Sequence, residues 1–303
     1  MRKNRNRHII LLFLLPTLVL YTALLVVPVF DSVRLSFFSG KLLVMDRYVG
    51  LSNYVKLFAI SPFNTAFYNA LVNTLELFLI VAAIQNTVPL FFAVLTSRKV
   101  RFAGFFRVVF FIPSLLPIIV VGFLFKTILN PVWGIVDKAL RMVHLGLLIR
   151  PWLGDRFLAI PVISLIGAWV YFGVPFILFS AGIRGIDPEI IEAARIDGAS
   201  ELGLVRRIMI PLLLPIFGII TTLALIGNIT QFDLIYSAAN SYGDPAYHTD
   251  VLGTLFFRTM FGVNTNGVTS DLGLSAALAS VMFLFVLAGE VFVLRLTRRR
   301  GAE

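Results

Sequence analysis

The sequence predicts an all-α membrane protein: six helices crossing a bilayer, with both chain termini on the cytoplasmic side. Three observations lead there. The 303-residue chain is 58% hydrophobic and 14% charged, where a soluble domain is nearer half apolar and a quarter charged. Its apolar residues gather in runs that reach the roughly 20 residues a helix needs to cross the hydrocarbon core. Its basic residues gather in alternate connections between those runs, as the positive-inside rule requires.

The runs fall, in order, at roughly 9–29, 70–95, 107–128, 159–183, 212–237 and 273–295. Each is too long for a strand. The first exceeds a signal-peptide core, and no small-x-small cleavage site follows Val27–Pro28, so it reads as a retained anchor. The second carries Gln85, Asn86 and Thr87, which read as interhelical packing groups. It also carries Glu76, which either faces a translocation cavity or pairs across a helix interface. The sixth carries Glu290, close enough to the cytoplasmic end to extend toward the basic tail. The longer connections read as loops: 30–69 with the partly apolar "YVGLSNYVKLF", 129–158 with Trp133 and Trp152 at headgroup level, and 238–272, rich in Gly, Asn, Asp and Ser. Nothing marks a second soluble domain, so residues 1–303 read as a single transmembrane domain.

The net charge of +10 has its explanation in sidedness. Arg2, Lys3, Arg5 and Arg7 precede the first run. Arg98, Lys99, Arg101 and Arg107 lie between the second and third. Arg184, Arg195, Arg206 and Arg207 lie between the fourth and fifth, and Arg295, Arg298, Arg299 and Arg300 end the chain. These short segments hold sixteen of the 26 basic residues. A nucleic-acid surface would cluster them on one soluble face, so no nucleic-acid partner is expected. The chain has no cysteine, which excludes disulfides, thiolate metal sites and a cysteine nucleophile.

The connection 184–211 stands apart from its apolar surroundings. Asp187 before Pro188 is a strong helix start, and Glu189 suits the first turn. The helix stops at Gly198, Ser200 caps a second helix, and Pro211 marks the start of the fifth span. The loop is therefore two short helices hinged at Gly198. Ile191, Ala194 and Ile196 supply an apolar side, while Ala193 and Ala194 keep the surface shallow. Two readings follow from the residues: a helix for docking into a groove of a cytoplasmic partner, or an ordinary interfacial hairpin.

The run Glu192-Ala193-Ala194, then Gly198, then Ile208, Ile210 and Pro211, resembles the EAA loop of binding-protein-dependent ABC transporter permeases in every spacing. Ile210 stands where that family usually has leucine. "YVGLSNYVKLF", "NALVNTLEL", "FRVVFFIPSLLP" and "QFDLIYSAANSYGDP" resemble the sugar-type branch, the maltose and glycerol-phosphate permease superfamily. The resemblance implies a type I importer fold in a bacterial or archaeal cell (inner) membrane. It implies a second permease subunit, two cytoplasmic ATPase subunits that bind ATP and Mg, an extracytoplasmic substrate-binding protein and a sugar substrate. It places Glu192, Ala193, Ala194, Asp197 and Gly198 in the contact that couples the ATPase to the spans.

Polar groups inside spans are costly and often functional. Asn228, Thr230, Gln231 and Asp233 lie in the outer half of the fifth run. Amides bond sugar hydroxyls in pairs, and rings stack on a sugar's apolar face. The sugar-contact stretch of the maltose branch, Phe-Asn-Asn-Phe, falls on Ile229–Phe232, with its two amides replaced by Thr230 and Gln231. Trp169, Gly173 and Phe176 recur at helical spacing in the fourth run, with Gly173 leaving room between two aromatic walls. The competing reading for all seven residues is helix–helix packing.

No phosphate-binding G-x-x-x-x-G-K-[ST] occurs, so an ATP site is expected on another chain. No catalytic motif or convergent titratable set occurs, so no enzyme activity and no metal or cofactor on this chain are expected. The alternatives are an ion-coupled carrier, which usually shows inverted repeats and matched broken spans, or an ABC importer of a non-sugar solute.

Overall fold

A computed structural model describes residues 2–41, 44–97, 103–240, 243–262 and 270–300, with the side chains of 2–11, 41, 44–46, 103 and 298–300 left aside. Arg98, Lys99 and Arg101 of the second basic cluster lie outside the described residues, as do the side chains of Arg2, Lys3, Arg5, Arg7 and Arg298–Arg300. The chain divides into two compact units, Met1–Asn64 with Phe256–Val281, and Thr65–Leu255 with Met282–Glu303.

In the first unit, α1 (Arg2–Tyr21) passes through a π-helical turn at Thr22–Val26 into α2 (Val27–Leu35). The apolar stretch Leu12–Leu35 buries none of its residues, as expected of a helix that faces lipid. The stretches 38–41 and 44–59, read from sequence as part of a loop, form regular elements. Strands β1 (Phe38–Lys41) and β2 (Val44–Tyr48) pair antiparallel, and α3 (Ser52–Ala59) follows. The buried Asn53 holds this knot, donating to Ser36 O and Phe38 O, both at 2.8 Å. An ion pair between Lys56 and Asp271 at 3.3 Å closes it.

The second unit begins with α4 (Phe63–Ser97), longer at its N-terminal end than the predicted 70–95. Its Asn73 donates to Asp250 O at 2.8 Å, and Thr74 accepts from Leu252 N at 3.0 Å. Three bent helix pairs then build the core. Near Gly104–Leu115, α5 (Ala103–Phe111) leads into α6 (Ile118–Ile128) through a 94° bend, where Pro113 and the extended Pro117 interrupt the backbone ladder. After a loop with the short helix α7 (Ile135–Met142), α8 (Ala159–Val170) meets α9 (Gly173–Arg184) at 52°. The cytoplasmic-type loop contributes α10 (Pro188–Ile196). Then α11 (Glu201–Leu204) continues through a π-helical turn into α12 (Ile210–Leu212). The run Glu201–Leu212 meets α13 (Leu214–Ile229) at 66°.

The predicted fifth span, 212–237, is not one helix. It stops at Ile229, where the Asn228 and Thr230 side chains bond back to the carbonyls of Ala224 and Ile226 at 2.7 and 2.8 Å and Gly253 brings its backbone against Gln231 O. The chain resumes as α14 (Asp233–Ala239), lying along α6, where a Cβ on Gly122 would overlap Ser237. Residues 238–272, read as loop, contain α15 (Leu252–Phe261), started by Asp250 and Thr254; their stretch 263–269 lies outside the described residues. The chain ends with α16 (Leu272–Arg300). Its Glu290 does not extend toward the tail but accepts from Thr222 Oγ1 of α13 at 2.9 Å. Among the described residues three helices are long and apolar enough to cross a membrane, or up to six if each bent pair is one span.

Candidate functional site

A cavity of about 520 Å³ opens where the helix breaks of the second unit converge. Leu77, Val81 and Gln85 of α4 form one wall. Ile118 opens α6 at the edge of the 94° bend. Gly167, Tyr171, Val174 and Pro175 come from the α8–α9 break. Asn228 through Leu234 come from the α13–α14 break, Ile229 excepted.

Its chemistry is mixed. The amide of Asn228 spends its N–H on Ala224 O, which leaves its oxygen as an acceptor. The side chains of Gln85 and Gln231 hold no hydrogen bond among the described residues, and the exposed Asp233 carboxylate has no partner there either. Tyr171 and Phe232 supply rings, and the aliphatic residues supply a dry wall. Paired donors and acceptors beside rings suit a polyhydroxylated ligand with apolar faces.

Four of the seven predicted path residues, Asn228, Thr230, Gln231 and Asp233, meet in this cavity. Trp169, Gly173 and Phe176 do not. The inference of one helical face fails because the helix ends at Val170 and restarts at Gly173 with a new axis. Gly173 leaves no room for a ligand: a Cβ there would lie 2.7 Å from Phe110 O and Phe111 Cα, so the glycine allows α9 to touch α5. Phe176 is 0% exposed, 5.0 Å from the Phe110 ring, which also meets Phe172 at 4.9 Å and Phe92 at 5.1 Å. Trp169 packs edge-on against Phe125 at 5.5 Å.

Sequence reasoning also misassigned Gln85. Asn86 and Thr87 bond to backbone carbonyls of their own helix, and Asn86 bonds Thr221 of α13 at 3.2 Å, as packing groups do. Gln85 instead lines the cavity. Its position one turn beyond Val81 and two beyond Leu77 on one α4 face is the signal that would have found it. Glu76 is exposed on α4 beside the exposed Leu75 and Leu79 and lines no part of the cavity.

The loop 184–211 follows its expected local chemistry. Asp187 accepts from Glu189 N at 3.0 Å and Ser200 from Gly203 N at 3.1 Å. At the end of α10, Gly198 N–H bonds Arg195 O and Ala199 N–H bonds Ala194 O, with Gly198 at φ +81. This is the Schellman arrangement, and it demands a left-handed residue at that point. Arg195 and Glu201 pair at 3.3 Å across the hinge.

Ala194, only 9% exposed, belongs to an inward cluster with Ile183, Ile186, Leu204 and Leu213. Glu192, Ala193 and Asp197 face out. Ile196 does not share the inward side as expected: it is 86% exposed, because two residues of helix turn it about 200° from Ala194. Leu202, 76% exposed, lines a cleft of about 750 Å³ together with Gly198–Ser200, Arg206 and Arg207.

The family described as binding-protein-dependent transport system inner membrane component matches residues 85–301. The probable ABC transporter permease protein YurN of Bacillus subtilis (strain 168) is 31% identical over 290 residues, 94% of each chain. The lactose transport system permease protein LacF of Rhizobium radiobacter is 30% identical over 253 residues, 82% of each chain. A crystal structure of a bacterial alginate ABC transporter in complex with an alginate pentasaccharide-bound periplasmic protein shares the fold. It has a TM-score of 0.80 at 22% identity, covering 99% of this chain and 97% of that one.

Proposed function

The chain belongs to the family of binding-protein-dependent transport system inner membrane components, and on that premise we propose that it forms half of the translocation path of a sugar or oligosaccharide importer. In this reading six spans cross a bacterial or archaeal inner membrane, the bent pairs counting as one span each, with both termini cytoplasmic. A second permease completes the path, an extracytoplasmic binding protein delivers the solute, and two separate ATPase subunits bind ATP and Mg. This chain carries out no chemistry of its own.

The observation that carries the reading is the cavity at the helix breaks. The three amides, Thr230 and two rings suit hydroxyl recognition, and the one carboxylate of the lining, Asp233, accepts from hydroxyls as well. The names of LacF and of the alginate transporter, which concern saccharides, support the same substrate class.

Coupling follows from α13. One end follows the EAA loop and the other delivers Asn228 to the cavity. Its 16 residues span roughly 24 Å at 1.5 Å per residue. Close contacts bind it to α16: Gly218 lies under Thr297, Gly289 under Leu225, and Thr222 bonds Glu290. Glu192, Ala193, Asp197 and Gly198 engage the ATPase, with Ala194 seating α10 on its own chain. Closure of the ATPases on ATP moves the loop, α13 carries the movement, and the cavity opens to the binding protein. Hydrolysis returns it inward.

The test is purification of the tagged chain from its native membrane in mild detergent, with identification of what accompanies it, and uptake assays on Gln231→Ala. Expected companions are a second EAA-bearing permease and a P-loop ATPase. Gln231→Ala should raise the half-saturating sugar concentration about fivefold to tenfold, the worth of one lost hydrogen bond. A chain recovered alone that transports without ATP overturns the proposal in favour of an ion-coupled carrier.

A further inference from the structure

The connection between α6 and α8, residues 129–158, carries an inverted surface. Of its two acids, Asp137 is buried and Asp155 is half-buried and bonded within its own turn. Asp137 is 2% exposed and accepts from Trp152 Nε1 at 3.1 Å, and Asp155 accepts from Phe157 N at 2.8 Å. Its four cations, Lys138, Arg141, Arg150 and Arg156, are exposed, and none is paired with an acid among the described residues. The Arg156 guanidinium lies over the Phe157 ring at 4.4 Å. Between these cations, Val132, Ile135, Met142, Leu147 and Phe157 point outward, with Leu147 96% exposed.

Helix α7 shows the inversion most plainly. A helix facing water buries Ile and Met and exposes Asp. This one buries Asp137 and exposes Ile135, Lys138 and Met142. A surface both cationic and apolar fits neither bulk water nor hydrocarbon. It fits the boundary between them, where cations meet lipid phosphates and apolar side chains insert beneath. The tether agrees with that depth. Two apolar helices bound the segment at Ile128 and Ala159, and Leu129 and Leu153 fasten it to the core at their ends.

We propose that residues 129–158 form an interfacial anchor that binds anionic phospholipid headgroups of the bilayer surface and inserts its apolar side chains among them. The absence of cysteine makes the test clean. Leu147→Cys, carrying an environment-sensitive fluorophore, is studied in the full-length chain with its co-purifying subunits, the same assembly without the substitution giving the background. The nanodiscs contain phosphatidylcholine with or without phosphatidylglycerol, and spin labels on the acyl chains. The fluorophore should be quenched by the spin-labelled lipid and shielded from aqueous iodide. Lys138→Glu, Arg141→Glu and Arg150→Glu together should reduce co-purifying phosphatidylglycerol by at least about fivefold, since one surface cation alone is worth about that factor. Free quenching by iodide overturns the proposal, because the loop then stands in water. Shielding from both quenchers overturns it in favour of a covering protein subunit. Phosphatidylglycerol retention unmoved by the triple variant overturns the headgroup contact.

Discussion

Gly198 combines a left-handed backbone, φ +81, with open space: nothing stands within 4 Å of the Cβ it lacks. Strain and bulk therefore separate at this position. Gly198→Ala should cost the loop about 1 kcal/mol of backbone strain, and Gly198→Asn less, because Asn tolerates that conformation. Gly198→Trp finds room in the free chain. If α10 sits in an ATPase cleft, Trp should abolish co-purification of the ATPase while Asn keeps it, with equal amounts of permease in the membrane. Equal ATPase recovery from both variants would remove the loop from the interface. Gly198 was legible in sequence because its neighbours carry the signal: Asp187-Pro188 starts the helix, Ser200 starts the next, and only a stop fits between. Ile196 was misread because its apolar character was noted without its angle on the helix.

Elements reveal what apolar runs conceal. Hydropathy located the helices but not their bends, since 107–128, 159–183 and 212–237 are continuous in apolar content while their backbones turn by 94°, 52° and 66° nearby. Prolines and Gly173 mark the breaks, yet sequence gives no direction for them; that is set by contacts such as α9 on α5. Gly173→Leu should force these helices apart and cost about 2 kcal/mol or more by overpacking, read as a lower midpoint in thermal unfolding of the detergent-solubilised chain. An unchanged midpoint would mean that the contact yields freely. Between α13 and α16, Thr222→Val leaves both Glu290 oxygens without a donor among the described residues. About 2 kcal/mol is expected from a lost bond to a charged group. A lever role for α13 adds a second signature: solute transported per ATP hydrolysed should fall, whereas destabilisation alone would reduce both rates together.

At the scale of the molecule, orientation rests on charge placement. Fusions decide it. A fluorescent protein after Arg300 should glow and alkaline phosphatase at the same point should be inactive, with the opposite pair of results at residue 146, in the α6–α8 connection. Active phosphatase at the C-terminus would invert the topology. The chain class and the two capped helices of 184–211 were readable because periodicity, caps and charge are local properties. The cavity was half readable: Asn228 to Asp233 are contiguous in sequence, but Gln85, Ile118 and Tyr171 reach it only through the fold.

The gap between α13 and α14 bears on how such a protein diversifies. Thr230, Gln231 and Phe232 belong to neither helix, and Gly253 lies against the backbone carbonyls of Thr230 and Gln231. The Thr230 side chain bonds Ile226 O and Phe232 stacks on Tyr236, whereas the Gln231 side chain holds no hydrogen bond among the described residues and can vary with little repacking of the bundle. On the proposed reading of the cavity, a lineage can explore new solutes at Gln231 by single substitutions that leave the helices on either side intact, and a library randomised at that codon is the economical route to a transporter of altered diet.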